Sequence, residues 1–128
     1  MPTPPTASEK PLHWVASSKR DLLSFDEVVI DDVGYALGVV QLGGMPGSAK
    51  PWKGDGAGVF EIVEDHRGDT YRAVRYTQWV RFALAIYVLH CSQKKSPSGI
   101  KTAKTDIDLI RARLNLAQAD YEERYEKR

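Results

Sequence analysis

The chain has 128 residues, of which 42% are hydrophobic and 27% are charged, as is typical of one folded domain. Its 18 basic and 17 acidic side chains nearly cancel, and the composition argues against global disorder or a fibrous repeat. The single cysteine, Cys91, excludes an internal disulfide framework and a paired-thiolate zinc site, and it predicts a reducing compartment.

The N-terminal residues predict a tail followed by one domain. Residues 1–10 are dominated by Pro, Thr and Ser and are predicted to be disordered, which leaves residues 11–128 as the single domain. This start lacks the apolar run and early positive cluster of a signal peptide, and the longest apolar stretch, Phe82–Leu89, is too short to span a bilayer. We therefore expect a cytoplasmic protein.

The first elements are a short strand and two helical segments. Alternation from Leu12 to Ala16 favours the strand, and Ser18–Leu23 favours a helical turn. Ser24 is the predicted N-cap of the next helix, with Glu27 completing a capping box and Leu23 and Val28 placed for a hydrophobic staple. The apolar positions that recur along this helix before Gly43 and Gly44 are Val29, Val33, Ala36, Leu37 and Val40.

The centre of the chain predicts a loop and then strands. Met45–Pro51 reads as a loop, and the glycines at 54, 56 and 58 favour a bend before a strand, because no Gly-Lys-Ser/Thr follows them. Three strands of an antiparallel meander are predicted: Val59–Val63, Thr70–Thr77 and Phe82–Cys91.

The last element is a helix with Thr105 as its N-cap, Asp106 and Asp108 in its first turn, and an apolar face. That face comprises Ile107, Ile110, Leu114, Ala117 and Tyr121. The predicted fold class is α+β, in which two N-terminal helices pack on a small antiparallel sheet, formed by the short first strand and the meander, with a C-terminal helix.

One segment concentrates positive charge. Between Thr70 and Thr105 there are seven basic residues and no Asp or Glu: Arg72, Arg75, Arg81, Lys94, Lys95, Lys101 and Lys104. Such a segment is a candidate phosphate-binding surface, although solvated charges are a common alternative. Strand alternation places Tyr71 and Arg75 on one face and Arg72 and Tyr76 on the other, so not all of these side chains can line one groove.

Two residues are candidates for proton transfer. His90 is the only histidine within the basic segment, and imidazole exchanges protons near neutral pH. Glu61 lies in the middle of the predicted meander. A packed histidine and a paired structural carboxylate are the alternatives, and no pattern predicts a metal site or a cofactor.

Nine short motifs, in order along the chain, resemble the RelE/HigB-like toxins of type II toxin–antitoxin systems, in the branch that also includes phage-derived proteins. The motifs are Pro11–Val15, Ser18–Leu23, Gly34–Leu37, Gln41–Gly43, Lys50–Gly54, Val59–Glu64, Tyr71–Val74, Tyr87–His90 and Gln93–Ser96. The resemblance implies a RelE-like fold, an mRNA interferase that cleaves mRNA by attack of the 2′-hydroxyl without a metal and so inhibits translation, often on the ribosome, and an antitoxin partner, commonly a helix-turn-helix protein.

The resemblance also suggests roles for particular residues. Arg72 matches the phosphate-stabilising arginine, and Lys94 matches the basic end of the last strand. The strand that carries catalytic lysines in RelE has Glu61 at its centre here, so proton transfer is assigned to Glu61 or His90. The predicted RNA-binding residues are Lys53, Tyr71, Arg75, Lys95 and Lys101. The alternative is a toxin-fold protein that binds without cleaving, either to a protein target such as a gyrase or in a phage accessory role.

Overall fold

The structure is a computed structural model that describes residues 9–54, 58–67, 72–94 and 104–126. Its strands are β1 (Leu12–Trp14), β2 (Ala49–Pro51), β3 (Val59–Arg67), β4 (Arg72–Arg81) and β5 (Ile86–Lys94). Its helices are α1 (Ser18–Leu23), α2 (Glu27–Gln41) and α3 (Lys104–Tyr121), and α3 continues into a π-helical turn at Glu122–Glu126.

The five strands form one mixed sheet in the order β1-β5-β4-β3-β2. The predicted meander is confirmed, because β3, β4 and β5 pair in succession and antiparallel. Strand β1 adds to β5 in parallel, with Leu12 opposite Ile86. The α+β prediction is therefore confirmed, but the prediction that the whole sheet is antiparallel was wrong, because β1 pairs in parallel with β5 and makes the sheet mixed.

Strand β2 lies in the segment that was predicted to be a loop, so that prediction was wrong for its last three residues. Lys50 of β2 pairs with Glu61 of β3 at the edge of the sheet. An edge strand tolerates Pro51 because only one side of the strand contributes to the ladder. This pairing brings Lys50 of the edge strand beside Glu61 of β3, the first strand of the meander.

Helix α2 buries the predicted apolar face, comprising Val29, Val33, Ala36, Leu37 and Val40. Its predicted start was wrong, because the helix begins at Glu27 with Asp26 as its N-cap. Ser24 instead ends α1, where its hydroxyl donates to the carbonyl oxygen of Asp21 over 2.6 Å. Leu23 and Val28 are both exposed and form no buried staple.

Helix α3 covers the opposite face of the sheet from α1 and α2. Its residues Ile110, Leu114, Ala117 and Tyr121 are buried as predicted, in a cluster with Val59, Val80 and Leu89 of the strands. A second cluster joins α1 and α2 to Ile62, Trp79, Ile86, Val88 and Cys91. Thr105 lies within the helix, which begins at Lys104, so it is not the predicted N-cap.

Strand β5 contains an irregularity that controls the direction of one side chain. Gln78 pairs with His90, whereas the next residue of β4, Trp79, pairs with Val88, so Leu89 is an extra residue in β5. An extra residue of this kind resets the alternation of the strand. Leu89 and His90 therefore both contact the α3 side, and Cys91 returns to the α1/α2 side.

The chain is already held at Lys10, whose backbone N–H donates to the carbonyl oxygen of Gln41 over 2.9 Å. The first eight residues of the predicted tail lie outside the described residues. Within the described ranges, no helix is long and apolar enough to cross a membrane.

Candidate active site

A pocket of about 360 Å³ opens between the sheet and the first two turns of α3. Strands β2 to β5 provide its floor, and the chain just after β2 provides one wall. The lining residues are Lys50, Trp52, Lys53, Gly54, Glu61, Tyr76, Gln78, His90, Ser92, Lys94, Asp106, Ile107 and Ile110. The pocket thus combines lysines, carboxylates and an imidazole on the face of the sheet that α3 covers.

Glu61 is held at the centre of the floor by the strands on either side. Nε2 of Gln78 on β4 donates to Oε1 of Glu61 over 2.9 Å. On the other side, Nζ of Lys50 lies 3.9 Å from Oε2 of Glu61. Glu61 is buried whereas the Lys50 side chain is 57% exposed, so the carboxylate anchors an ammonium group at the pocket mouth.

His90 is buried beside Asp106 of α3. Its Nε2 lies 3.4 Å from Oδ1 of Asp106, without the geometry of a hydrogen bond, and Nδ1 has no hydrogen-bond partner among the described residues. Burial lowers the pKa of His90 below its ordinary value of 6.5, and the Asp106 carboxylate only partly opposes this shift. The imidazole is therefore neutral at pH 7 and has a nitrogen lone pair that can accept a proton, and its lowered pKa makes it a weaker base than a free imidazole.

Lys94 and Asp106 form a hydrogen-bonded ion pair at one end of the pocket. Both side chains are about one quarter exposed, at 26% for Lys94 and 21% for Asp106. Burial alone would raise the pKa of Asp106, but the hydrogen bond and charge of Lys94 outweigh it, and the pKa lies below 3.8. Asp106 is therefore ionised at neutral pH, and its carboxylate accepts a hydrogen bond from the Lys94 ammonium.

The fold brings four of the predicted site residues into this pocket: Glu61, His90, Lys94 and Lys53. Arg72 begins β4 opposite Arg67, and its side chain lies outside the described part of the structure. The predicted RNA contacts Tyr71, Lys95 and Lys101 also fall outside the described residues.

Arg75 is not part of the pocket. It is only 5% exposed and lies on the α1/α2 side of the sheet, with Nη2 3.4 Å from Oδ2 of Asp26. Its Nε donates to Oε1 of Gln93 over 3.1 Å, and its guanidinium lies over the ring of Phe25. The structure thus separates Arg75 from the other predicted RNA-binding residue that it describes, Lys53.

Sequence reasoning missed two site residues, Gln78 and Asp106. Gln78 is 2% exposed, and its Oε1 has no hydrogen-bond partner among the described residues. Asp106 was interpreted only as an acid that suits the first turn of a helix. The sequence offered one indication of this site. Gln78 is a polar residue in a run of strand-forming residues, at a position where a buried strand is expected to have an apolar residue.

A second cavity, of about 330 Å³, lies between β1, Tyr87 of β5 and the C-terminal half of α3. Its polar groups are paired with one another: Tyr87 donates to Oδ2 of Asp120 over 2.5 Å, and Nε of Arg124 donates to the same oxygen over 2.7 Å. His13 shares a hydrogen bond of 2.6 Å with the hydroxyl of Tyr125. These saturated groups make this cavity the weaker candidate for chemistry.

Two further observations concern metal and thiol chemistry. Among the described residues, no cluster of three or more His, Cys, Asp or Glu has the arrangement of a metal site. Burial raises the pKa of Cys91 to about 11, and its sulfur accepts a hydrogen bond from Thr77 over 3.7 Å. Cys91 is thus a protonated core residue and not a nucleophile.

Comparison with known families shows which family the chain belongs to. The model of the family described as Phage derived protein Gp49-like (DUF891) matches residues 20–115, three quarters of the sequence and every residue that lines the pocket. The chain belongs to this family. The Gp49-like family is a toxin-like family of toxin–antitoxin systems. No curated protein and no solved structure matches the chain.

Proposed function

We propose that this Gp49-like protein is the toxin of a toxin–antitoxin system and that it cleaves RNA in the pocket between the sheet and α3. The observation that carries the proposal is the convergence of Glu61 from β3 with His90 and Lys94 from β5 in one pocket, with Lys50 and Lys53 at its mouth. These groups supply a proton acceptor and several cations, which are the requirements of phosphodiester cleavage by an internal 2′-hydroxyl.

In the proposed reaction, neutral His90 accepts the proton of the 2′-hydroxyl. The 2′-oxygen then bonds to phosphorus while the bond between phosphorus and the 5′-oxygen breaks. Lys94 compensates the charge that develops on the phosphoryl oxygens. Lys50, which Glu61 holds at the pocket mouth, gives a proton to the departing 5′-oxygen. The products are a 2′,3′-cyclic phosphate and a 5′-hydroxyl end.

The hydrogen-bond partners of Glu61 and His90 favour His90 as the base. Glu61 accepts a hydrogen bond from Gln78 and faces Lys50 at 3.9 Å, so both of its oxygens already have partners. His90, by contrast, has an unpaired ring nitrogen and is neutral at pH 7. Glu61 is therefore proposed as a positioning residue for Lys50, and His90 as the base. Arg72 remains a predicted phosphate contact.

The direct test is cleavage of a labelled RNA oligonucleotide by the purified full-length chain in the presence of EDTA. We expect fragments with 2′,3′-cyclic phosphate and 5′-hydroxyl ends, and no cleavage of the same sequence made of DNA. Replacing His90→Gln is expected to reduce the rate by about 10² to 10⁴. The matched control His13→Gln alters a histidine of the second cavity and should retain the rate.

RNA that stays intact with the unmodified chain would reject RNA cleavage. A His90→Gln rate equal to that of the unmodified chain would reject His90 as the base. If induction of the chain in cells still stops growth while RNA stays intact, the protein acts as a toxin-fold binder. The ion pair between Lys94 and Asp106 favours that second function, because the carboxylate already neutralises the lysine.

A cognate antitoxin, with helix-turn-helix proteins as the expected class, is proposed as the partner, and the cytoplasm as the compartment. The antitoxin proposal is supported by membership of a toxin-like family. The test is co-expression with the product of an adjacent reading frame. Restored growth and a co-purifying complex are expected, and unrelieved toxicity would count against the partner.

A further inference from the structure

The outer face of α2 carries an unusual concentration of exposed apolar side chains. Of the seven large apolar residues that are exposed in the described part of the chain, five lie between Leu23 and Met45. Three of them, Val28, Tyr35 and Leu42, are seven residues apart, and Tyr35 is 78% exposed. Seven residues are close to two helical turns, so these three side chains form one stripe on the side away from the sheet.

A groove runs beside this stripe. Gly34 and Gly38 are four residues apart and therefore lie on one line along the helix. A Cβ atom added at either glycine would meet nothing within 4 Å. The protein core does not require these glycines, each of which costs about 1 kcal/mol of helix stability relative to alanine. A row without side chains next to the Asp31–Tyr35 row is the shape into which a ridge of a second helix packs.

The chain segment that carries the stripe is acidic, and basic groups from β4 contact its two ends: Arg75 pairs with Asp26, and Arg81 donates to the carbonyl oxygen of Gly44. From Asp21 to Ala49 the sequence contains five acids, Asp21, Asp26, Glu27, Asp31 and Asp32, and no Lys, Arg or His. Glu27, Asp31 and Asp32 are exposed on α2. A partner helix that buries the stripe therefore gains from basic residues along its edges. A second copy of α2 has no basic residue to offer, so it is the poorer match.

We infer that the outer face of α2 is a docking site for an amphipathic helix with an apolar seam and basic flanks, supplied by a partner protein. The inference rests on the proposed function only in taking the antitoxin as the source of that helix. The docking site is on the opposite side of the sheet from the pocket, because α2 and α3 cover opposite faces. Binding at α2 and cleavage at the pocket can therefore succeed or fail separately.

The test uses two fluorescein-labelled helical peptides of about 20 residues that share one leucine seam and differ only in lysine or glutamate flanks. We expect the lysine peptide to bind the full-length chain, more weakly as salt rises, and the glutamate peptide to bind at least about tenfold more weakly. Fluorescence anisotropy gives both affinities.

The decisive variant is Gly38→Gln, which fills the groove with a good helix former. Its melting temperature is expected to equal or exceed that of the unmodified chain, whereas its affinity for the lysine peptide falls by about tenfold. Leu116→Gln, which alters an exposed leucine of α3, is the matched control and should bind normally.

Three peptide-binding outcomes would overturn the inference. The two peptides could bind with equal affinity, Gly38→Gln could bind the lysine peptide as tightly as the unmodified chain, or Leu116→Gln could lose as much affinity for that peptide as Gly38→Gln. Light scattering supplies a fourth outcome that would overturn the inference: if the unmodified chain is a dimer and Gly38→Gln is a monomer, the docking site is occupied by a second copy of this chain. RNA cleavage by the same preparations is measured in parallel, so a failed docking site is distinguished from a failed toxin activity.

Discussion

The ammonium of Lys94, at the end of β5, donates a hydrogen bond to Oδ2 of Asp106 in the first turn of α3. Oδ1 of the same carboxylate lies 3.4 Å from Nε2 of His90. One carboxylate thus contacts the cation and the imidazole that are proposed to act on a phosphodiester. Asp106 takes one of the three N–H donors of Lys94, and its negative charge repels a phosphate that approaches the lysine, so the carboxylate opposes substrate binding at Lys94.

Replacing Asp106→Asn is expected to tighten RNA binding. The amide keeps the shape of the side chain but removes the negative charge that faces Lys94, so the affinity should rise about three- to tenfold. The measurement is anisotropy of a labelled 2′-fluoro RNA, which cannot undergo attack by a 2′-hydroxyl.

The control for this prediction is Asp108→Asn. Asp108 lies in the same turn of α3 and pairs at 3.5 Å with Lys104, which is 87% exposed, so its removal should change RNA affinity much less. If both variants tighten binding equally, the effect is one of net charge, and competition at Lys94 is refuted. Weaker binding by Asp106→Asn would instead make the carboxylate an orienting group for His90.

The buried histidine predicts how stability depends on pH. Because burial lowers the pKa of His90 in the folded chain, the unfolded chain takes up its proton first as the pH falls below 6.5. The free energy of unfolding should therefore decrease between about pH 7.5 and about pH 5.5. His13 shifts in the same direction, whereas the lowered pKa values of Asp106 and Asp120 act below 3.8.

Urea unfolding at the two pH values measures this difference. In His90→Gln the glutamine does not titrate, so the pH-dependent loss of stability should shrink, and the remainder should be due chiefly to His13. An unchanged loss in His90→Gln would show that His90 titrates alike in the folded and unfolded chains.

Much of the fold was predictable from local patterns. The apolar spacing of α2 and α3 identified the residues that are buried, because a helix that covers a sheet must be apolar on one side. The meander was predictable because runs rich in β-branched and aromatic residues were separated by turn signals. The start of α2 was not predictable, because Ser24 and Asp26 are both good N-cap residues and Ser24 is already the C-cap of the short α1.

Several residues of the candidate site could be predicted from the sequence, but their assembly in one pocket could not. Strict alternation along β5 would place His90 on the same face as Ile86 and Val88, away from α3. The extra residue at Leu89 reverses that orientation and turns His90 toward Asp106. No local pattern specifies such a bulge, nor which strand ends α3 will cover. The contacts of His90 with Asp106 and of Gln78 with Glu61 therefore required the three-dimensional structure.

Two buried or half-buried cations should behave differently toward RNA. Lys94→Met removes a cation from the pocket, so RNA affinity and its salt dependence should both fall. Arg75→Met removes a cation that is 5% exposed on the opposite face, so it should leave RNA affinity unchanged while altering the unfolding midpoint. Anisotropy and urea unfolding of both variants make the comparison. If Arg75→Met loses RNA affinity while its fold stays intact, Arg75 belongs to the RNA-binding surface and the comparison is contradicted.

The wall of the pocket depends on a glycine. A Cβ atom placed on Gly54 would lie 2.1 Å from Cζ2 of Trp52, so even alanine must displace the indole. Trp52 is 5% exposed and packs in the core cluster beneath α3, and its backbone N–H donates to the carbonyl oxygen of Val59 over 2.9 Å.

We expect Gly54→Ala to destabilise the chain by about 1–3 kcal/mol, to change the tryptophan fluorescence and to slow RNA cleavage. Gly47→Ala is the matched control, because a Cβ there meets nothing within 4 Å. If Gly54→Ala unfolds at the same urea concentration as Gly47→Ala, with unchanged fluorescence, the indole is not fixed by this contact and the pocket wall is mobile.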